Sequence, residues 1–476
     1  MRWVVRRLGL GEHRGAPRAA AFFLVVYAAL LLAVPSQLIL GPLGAPGTPA
    51  NLWALGGLLC WVCATIGGLN PVRGPTATRI AVGVLTVAVL AAYANGTISG
   101  WYAPPDVRAV TDELWTLVPP SVSDITATMI KAADRGLLSF AGWMAVVLIA
   151  AEGVRSSRDL EMVVAAVAWL GTLLAGLGLV QFIWGIDIAR YIQIPGLTPN
   201  ADFGAVMSRS VLNRVSGTAV HPIEFGVVLA SLFPLALHYS LHRWGRRGAL
   251  LPVGLVLVGS TLSVSRSAIL VLAVTLIVLL LGWPNAWRIR ALMLAPFVLV
   301  GLRLAIPGLV GTIVSLFKNV QNDPSVTGRT NDYGVVFELY GEHPWFGRGL
   351  FTFVPRHYRI LDDQYLMILL ELGALGLAAT LLLILTGVAN GYRARRWART
   401  ARSRHLGLAL SASILGSAVG MVTFDAWGFP MAAGSSFLLI GLACAAAQLA
   451  VEERPRERLA VPIDTTDTDA TREATP

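Results

Sequence analysis

The sequence predicts an all-α integral membrane protein. About twelve transmembrane helices are expected, with a large extracytoplasmic loop between the ninth and the tenth. Three observations carry this prediction. The chain has 476 residues, of which 55% are hydrophobic and only 13% charged, whereas soluble domains carry about 25% charged residues. Apolar runs of spanning length recur along the whole chain. Cations gather in every second gap between those runs.

The elements follow in order. The N-terminus, "MRWVVRRLGLGEHRGAPR", is basic and precedes an apolar run at 19–40. That run is longer than the apolar core of a cleaved leader, so it reads as an uncleaved first helix. Further spans are expected near 51–69, 79–97, 136–152, 160–184, 220–241, 248–264, 267–283, 291–306, 364–389, 406–424 and 432–450. The resulting domains are a basic cytoplasmic N-terminus (1–18), spans one to nine (19–306), the large loop (307–363), spans ten to twelve (364–450) and a tail (451–476). The tail is polar and lacks aromatics, a composition that predicts disorder. There is no internal repeat and no soluble catalytic domain.

Arginine placement predicts orientation. With the N-terminus inside, the even-numbered gaps hold Arg73 and Arg79, Arg155 and Arg158, Arg243, Arg246 and Arg247, Arg288 and Arg290, and the run "YRARRWARTARSR". The short gaps at 41–50 and 423–430 hold no cation. Both termini are therefore expected in the cytoplasm, with the protein in the cytoplasmic membrane. The net charge of +10 reads as a topology signal, helped by anionic membrane lipids, and no nucleic-acid partner is called for. Cys60 and Cys63 in "CWVC", and Cys444, sit in apolar runs. They read as small core residues and imply no disulfide framework.

Three arginines depart from the inside rule and converge on the predicted outer face. Arg214 precedes the sixth span, Arg266 lies between spans seven and eight, and Arg329 lies in the large loop. Each alone reads as a structural ion pair or a snorkelling cation. Together, with few acidic residues in the spans, they read as an anion clamp suited to a lipid-linked diphosphate. Candidate bases are the loop residues Glu338, Glu342, His343, His357, Asp362 and Asp363, and His221 at the opening of span six. The carboxylate pair equally suits helix capping, and "HP" at 221–222 equally suits a helix start.

These segments resemble, in order, those of the O-antigen ligase and O-antigen polymerase superfamily. "RVSGTAVHPIEFG" (214–226) resembles its Arg–Gly–Thr…Pro stretch, and "SVSRSA" (263–268) its small-residue–Ser–Arg segment. "GRTNDYGVVFELYGEHPWFGRGLFTF" (328–353) resembles its Gly-Arg…His-Pro…Gly-x-Gly loop. "DDQYLMILLELGALGL" (362–377) resembles its re-entry segment, His-Asn-x-Tyr-Leu followed by Glu-x-Gly-x-x-Gly. The resemblance spans 213–377. It implies a helical bundle that moves a glycan from a polyprenyl diphosphate carrier to a glycan or lipid acceptor, with no metal or cofactor. It also implies diphosphate binding by Arg214, Arg266 and Arg329, with His221 beside them. Catalytic candidates are then Asp362, Asp363, His343 and His357. The sequence departs from the family where Asp362 replaces the re-entry histidine and Asp363 the asparagine, which leaves the base and the choice between ligase and polymerase open.

Two other classes compete. A transporter or flippase of an envelope precursor suits twelve spans, but it calls for mid-span charges and pseudo-symmetry that the sequence lacks. A non-enzymatic assembly scaffold would not need clustered arginines.

Overall fold

The computed structural model describes residues 16–68, 76–99, 122–200, 207–209, 212–243, 248–306, 324–355 and 358–452, with single residues at 245, 308, 311, 312 and 314. The N-terminal 15 residues, the tail from 453, parts of the predicted loop and His357 lie outside them.

The described chain is mostly helical. Its helices are α1 Ala16–Leu32, α2 Pro49–Ile66, α3 Ala77–Ser99, α4 Val122–Gly153, α5 Ser157–Trp184, α6 Pro222–His242, α7 Leu251–Leu262, α8 Arg266–Gly282, α9 Asn285–Ala305, α10 Pro324–Glu342, α11 Gln364–Trp397, α12 Ala401–Gly420 and α13 Pro430–Glu452. Two small antiparallel pairs accompany them, β1 Leu38–Ile39 with β2 Thr198–Pro199 and β3 Met207–Arg209 with β4 Leu212–Arg214.

Seven helices (α2, α3, α4 from Thr126, α5, α6, α11 and α13) are long and apolar enough to cross a membrane. α1, α7 and α8 are apolar but shorter. The expected spans near 291–306 and 406–424 fall on α9 and α12. α9 carries Arg288, Arg290 and Arg303, and α12 opens with Arg402 and Arg404 and is rich in Ser and Gly, so neither joins the apolar group. The loop expected at 307–363 contains a helix of its own, α10, whose polar sequence has no apolar stripe to read.

The bundle has two chemically different ends. At one, the starts of α6, α11 and α13 meet the α7–α8 turn and the end of α12. The Gln364 amide donates to Met421 O (2.9 Å), and the Trp427 amide donates to Gln364 Oε1 (2.7 Å). Further turns join here, through Ser36 N–H to Thr218 O (2.9 Å) and Asn200 N–H to Gln37 O (2.8 Å). At the other end, Glu161 at the start of α5 takes a two-point ion pair from Arg402 at the start of α12, both bonds 2.7 Å.

The buried centre of the first end is Glu224 in the first turn of α6. It accepts from the amides of Val220 (2.8 Å), Met431 (2.7 Å) and Ala432 (3.2 Å). A helix start leaves about four amides without intrahelical partners. One carboxylate thus serves the α13 start and the turn leading into α6.

α11 is broken where it is most buried. Gly373 takes φ 67°, ψ −172° inside the helix, a region that essentially only glycine adopts. The break frees backbone groups, and the segment 344–349 takes them up. The Arg348 amide donates to Glu371 O (3.0 Å) and Leu370 O (3.2 Å), and the Gly349 amide to Glu371 O (2.8 Å). In return, the Ala374 amide donates to Pro344 O (2.8 Å) and the Leu375 amide to Trp345 O (3.3 Å). The two backbones touch at paired glycines. A Cβ on Gly347 would overlap the Glu371 carbonyl, and one on Gly373 would overlap the Trp345 carbonyl.

Gly373→Ala is therefore expected to lower stability by roughly 3 kcal/mol or more, combining backbone strain with a clash that no side chain can relieve. Gly83→Ala on α3, where a Cβ meets nothing within 4 Å, is expected to be neutral or to stabilise by about 1 kcal/mol or less. Thermal unfolding of the two variants in the same detergent tests the contrast.

Candidate functional site

Arg214 ends β4 and is buried, and its Nε donates to Ser263 O at 3.2 Å. This bond ties the segment before α6 to the α7–α8 turn. The turn is buried, and Val264 within it has φ 45°. A β-branched residue in the left-handed region is strained by roughly 1–3 kcal/mol. Gly226 on α6 permits the approach, since a Cβ there would overlap the Ser263 side chain. The strained turn ends at Arg266, the first residue of α8, with no acidic residue in that helix's first turn. A cation and a helix N-terminus together favour an anion.

His221 caps α6. Its Nδ1 accepts the Ile223 amide proton at 3.1 Å, which places the imidazole proton on Nε2. The ring lies just outside the helix. Burial, followed by the neighbouring Arg214 charge, holds it down to about 4. His221 is thus a neutral ring with an N–H to donate. The turn before it is held by Gln181 of α5, whose Oε1 accepts from the Ser216 and Gly217 amides, both at 2.9 Å.

The carboxylates gather next to this group. Asp363 is the N-cap of α11 and accepts from the amides of Tyr365 (2.8 Å) and Leu366 (3.1 Å). Asp362 stands just before it, half-buried. Asp425 lies in the turn between α12 and α13, and its carboxyl group is pushed up to about 7. Burial is the main cause, followed by the charges of Asp362 and Glu224. Neighbouring carboxyl groups do not readily ionise together, and such a pair can divide acid and base roles.

His343 belongs to a different group. It sits at the end of α10 with Nδ1 3.4 Å from Asn95 Nδ2 on α3, and burial and the Arg348 charge lower its pKa. Arg348 itself is buried, ion-paired with Glu342 and bonded to the Tyr358 hydroxyl (3.2 Å). Arg359 pairs with Asp332 at 2.7 Å and holds the chain beyond against α10. Arg329 lies on α10, but its side chain is not among those described, and His357 lies outside the described residues. Of the residues singled out from sequence, the structure gathers Arg214, His221, Asp362 and Asp363 around the start of α6. Arg266 begins the helix that follows the turn Arg214 is bonded to. His343 stands apart with Arg348.

A cavity of about 220 Å³ opens beside the α12–α13 turn that carries Asp425. Tyr27, Asn51, Arg135, Trp143, Phe351 and Trp427 line it, together with Gly428. The Asp425 carboxylate faces Gly428, where a Cβ would meet its Oδ2 at 2.7 Å. Trp143 is the aromatic hub, 5.6 Å from Trp427 and 6.1 Å from Phe351 between ring centroids. Aromatic walls with a few fixed polar groups are the usual make-up of a small-ligand pocket.

Fold and site define a polytopic helical membrane protein with cationic and carboxylate groups collected at one end. Residues 249–381 match the family model described as O-antigen ligase, a match that supports membership of the O-antigen ligase and polymerase superfamily. The match runs from α7 through the strained turn, α10 and the broken part of α11. Members are glycosyl-transferring membrane enzymes of polysaccharide biosynthesis that act on lipid-linked glycans. No curated protein matches the chain.

Two site residues escape a sequence reading. Asp425 looks like a lone acid in a short gap, and only the tertiary approach of Asp362 reveals a pair. Glu224 looks like an ordinary first-turn acid, since the helix it caps begins more than 200 residues later.

The Asp425 carboxyl group makes stability depend on pH. It is raised from 3.8 to about 7 in the folded chain. The folded state holds a proton that the unfolded chain releases, so stability falls as pH rises from about 4 to about 7. Asp425→Asn is expected to flatten this slope and to be the more stable protein above pH 7. Melting temperature against pH for both chains checks it.

Proposed function

We propose that the protein moves a glycan from a polyprenyl diphosphate to a glycan or lipid acceptor at the outer face of the cytoplasmic membrane, as a polysaccharide polymerase or ligase. The observation that carries this reading is the meeting, around one end of α6, of a cationic group (Arg214 and the Arg266 helix start) with a carboxylate pair (Asp362 and Asp425). In this reading the outer face is the end holding this group, and both termini lie inside. The twelve-span topology and the boundaries of the loop and tail belong to the same reading.

The acceptor hydroxyl oxygen attacks the anomeric carbon of the lipid-linked sugar from the face opposite the leaving group, inverting that centre. The bond from that carbon to the diphosphate oxygen breaks, and its electron pair leaves with the polyprenyl diphosphate. Asp362 takes the acceptor proton, standing where the family has histidine. General-base help of this kind is worth about 10²–10⁴-fold. Asp425, raised to about 7 mainly by burial, holds its proton more readily than an ordinary carboxyl group and stands beside Asp362 as the acid of the pair. Arg214 and Arg266 stabilise the charge on the departing diphosphate, and the His221 Nε2–H donates to it. The fixed positive charge of arginine suits this role at any physiological pH. Arg329 is assigned to the same diphosphate, and Asp363 positions Asp362 by fixing the start of α11. His343 lies further from this route, paired with Asn95. The aromatic cavity beside Asp425 receives sugar rings. A transporter reading lacks comparable support.

The test uses purified full-length protein with a polyprenyl-diphosphate glycan from the host, a membrane-lipid acceptor fraction and no added divalent cation. A ladder of longer glycans on the same lipid identifies a polymerase, and a single transfer to a new molecule identifies a ligase. Arg266→Ala and Asp362→Asn are each expected to slow transfer about 10²-fold or more. Folded, donor-loaded protein that transfers nothing, or either variant working at the parent rate, rules the mechanism out.

A further inference from the structure

The end of the bundle away from the arginine–carboxylate group holds a second cluster that glycan transfer does not use. His238 and His242 lie one turn apart on α6, and His405 on α12 packs against both. Ring centroids are 4.5 Å apart for His238–His242 and 5.3 Å for each ring to His405. One ring nitrogen from each lies within 4.8 Å of the other two. A tetrahedral zinc ion with imidazole ligands at about 2.0–2.1 Å sets those nitrogens roughly 3.4 Å apart. Side-chain rotations of about an ångström close that difference.

Hydrogen bonding selects the tautomers. His238 Nε2 lies 3.3 Å from Glu161 Oε1, an acceptor already ion-paired with Arg402. The proton therefore sits on Nε2, and the Nδ1 lone pair points at His405 Nδ1, 3.1 Å away. His242 Nδ1 lies 2.9 Å from the His238 carbonyl oxygen, which can only accept, so its Nε2 is the free lone pair. His405 is only 9% exposed, and its Nε2 is buried with no hydrogen-bond partner. Trp283 and Trp287 cover its ring, at centroid distances of 6.1 and 6.2 Å. A proton joins His238 to His405; a metal ion held between the rings takes its place. The local charge permits this. Glu161 answers Arg402, and Arg395 is occupied by the Gly282 carbonyl.

We propose that His238, His242 and His405 bind one divalent transition metal ion that staples α6 to α12 at the end opposite the transfer site. Glu161 orients the first ligand through its N–H, the carboxylate–histidine–metal arrangement that fixes ring tautomers in metal sites. An all-imidazole donor set selects Zn²⁺, Co²⁺, Ni²⁺ or Cu²⁺ over Mg²⁺ and Ca²⁺.

The full chain, purified in detergent through a tag without histidine and stripped with chelator, is titrated with Zn²⁺ and Co²⁺. One ion per chain is expected. The Co²⁺ form should show the visible absorption of a nitrogen-ligated tetrahedral ion, and Zn²⁺ should raise the melting temperature by several degrees. His242→Ala, half-exposed at the end of α6, should lose stoichiometric binding and keep its metal-free melting temperature. Glu161→Gln should keep the stoichiometry with about 10–100-fold weaker affinity. No saturable binding by the folded parent chain overturns the proposal and leaves a hydrogen-bonded histidine stack. So does unchanged binding in both His242→Ala and His405→Asn. Should those variants fail to fold, a Co²⁺ spectrum of the parent without nitrogen ligation overturns it equally.

Discussion

A broken helix inside a hydrocarbon layer leaves amides and carbonyls that no water can reach, and each one costs several kcal/mol unless protein supplies a partner. α11 accepts such a break at Gly373, and the segment 344–349 meets it with five backbone hydrogen bonds running in both directions. Much of the site depends on this junction. It fixes the loop that follows α10, and with it Arg348 and His343. It also fixes the upper part of α11, whose start carries Asp362 and Asp363. Two glycines, Gly347 and Gly373, make the backbone approach sterically possible, each facing the other segment's carbonyl. The Gly-x-Gly loop and the Glu-x-Gly segment are thus two halves of one joint. Glu371 shows this at the side-chain level, accepting from the Phe353 amide at 3.2 Å.

Above that joint the starts of α6, α8, α11 and α13 are drawn to one end of the bundle. Each contributes the positive end of its dipole. Arg214 and Arg266 add full charges to the same region. Carboxyl groups are accommodated there in two ways: Glu224 and Asp363 accept from the amides at the starts of α13 and α11, and Asp425 is raised to about 7 by burial and its acidic neighbours. In the proposed transfer, this setting would stabilise an anionic diphosphate while Asp362 takes the acceptor proton beside it. Buried charges of this kind are costly for stability alone, so their concentration at one end of one helix argues for a ligand.

The spans are readable in the sequence because apolar runs of that length are rare outside a bilayer, and the arginine pattern separates them. α10 is not readable, because a polar helix packed beneath a loop has no apolar stripe. The capping role of Asp363 stands in the sequence as one of two alternatives, and the structure gives it two amide partners while leaving Asp362 beside Asp425. Asp425 is hidden by its isolation in "TFDAWGFP". Arg348, the middle residue of the Gly-x-Gly loop, looks like any loop cation until its buried pairing with Glu342 appears. The histidine cluster is half visible as the spacing of His238 and His242; its third member lies 167 residues from His238. The Asp425 pair and the histidine cluster are contacts between distant segments, which local periodicity does not encode.

The α7–α8 turn shows how function can be written into strain. A turn between two apolar helices is easily built with glycine, which takes positive φ without cost. Here Val264 holds φ 45° instead, fully buried between Ser263 and Ser265. A strained residue persists only when its surroundings over-determine it. Those surroundings are the Arg214 bond to Ser263 O and the close passage of Gly226. Together they fix the direction in which α8 starts, and so where Arg266 stands relative to the start of α6. A flexible glycine turn would let that arginine swing toward the interface, where a cation costs least. The valine turn instead holds the start of α8 in one direction, as the proposed role of Arg266 on a departing diphosphate requires.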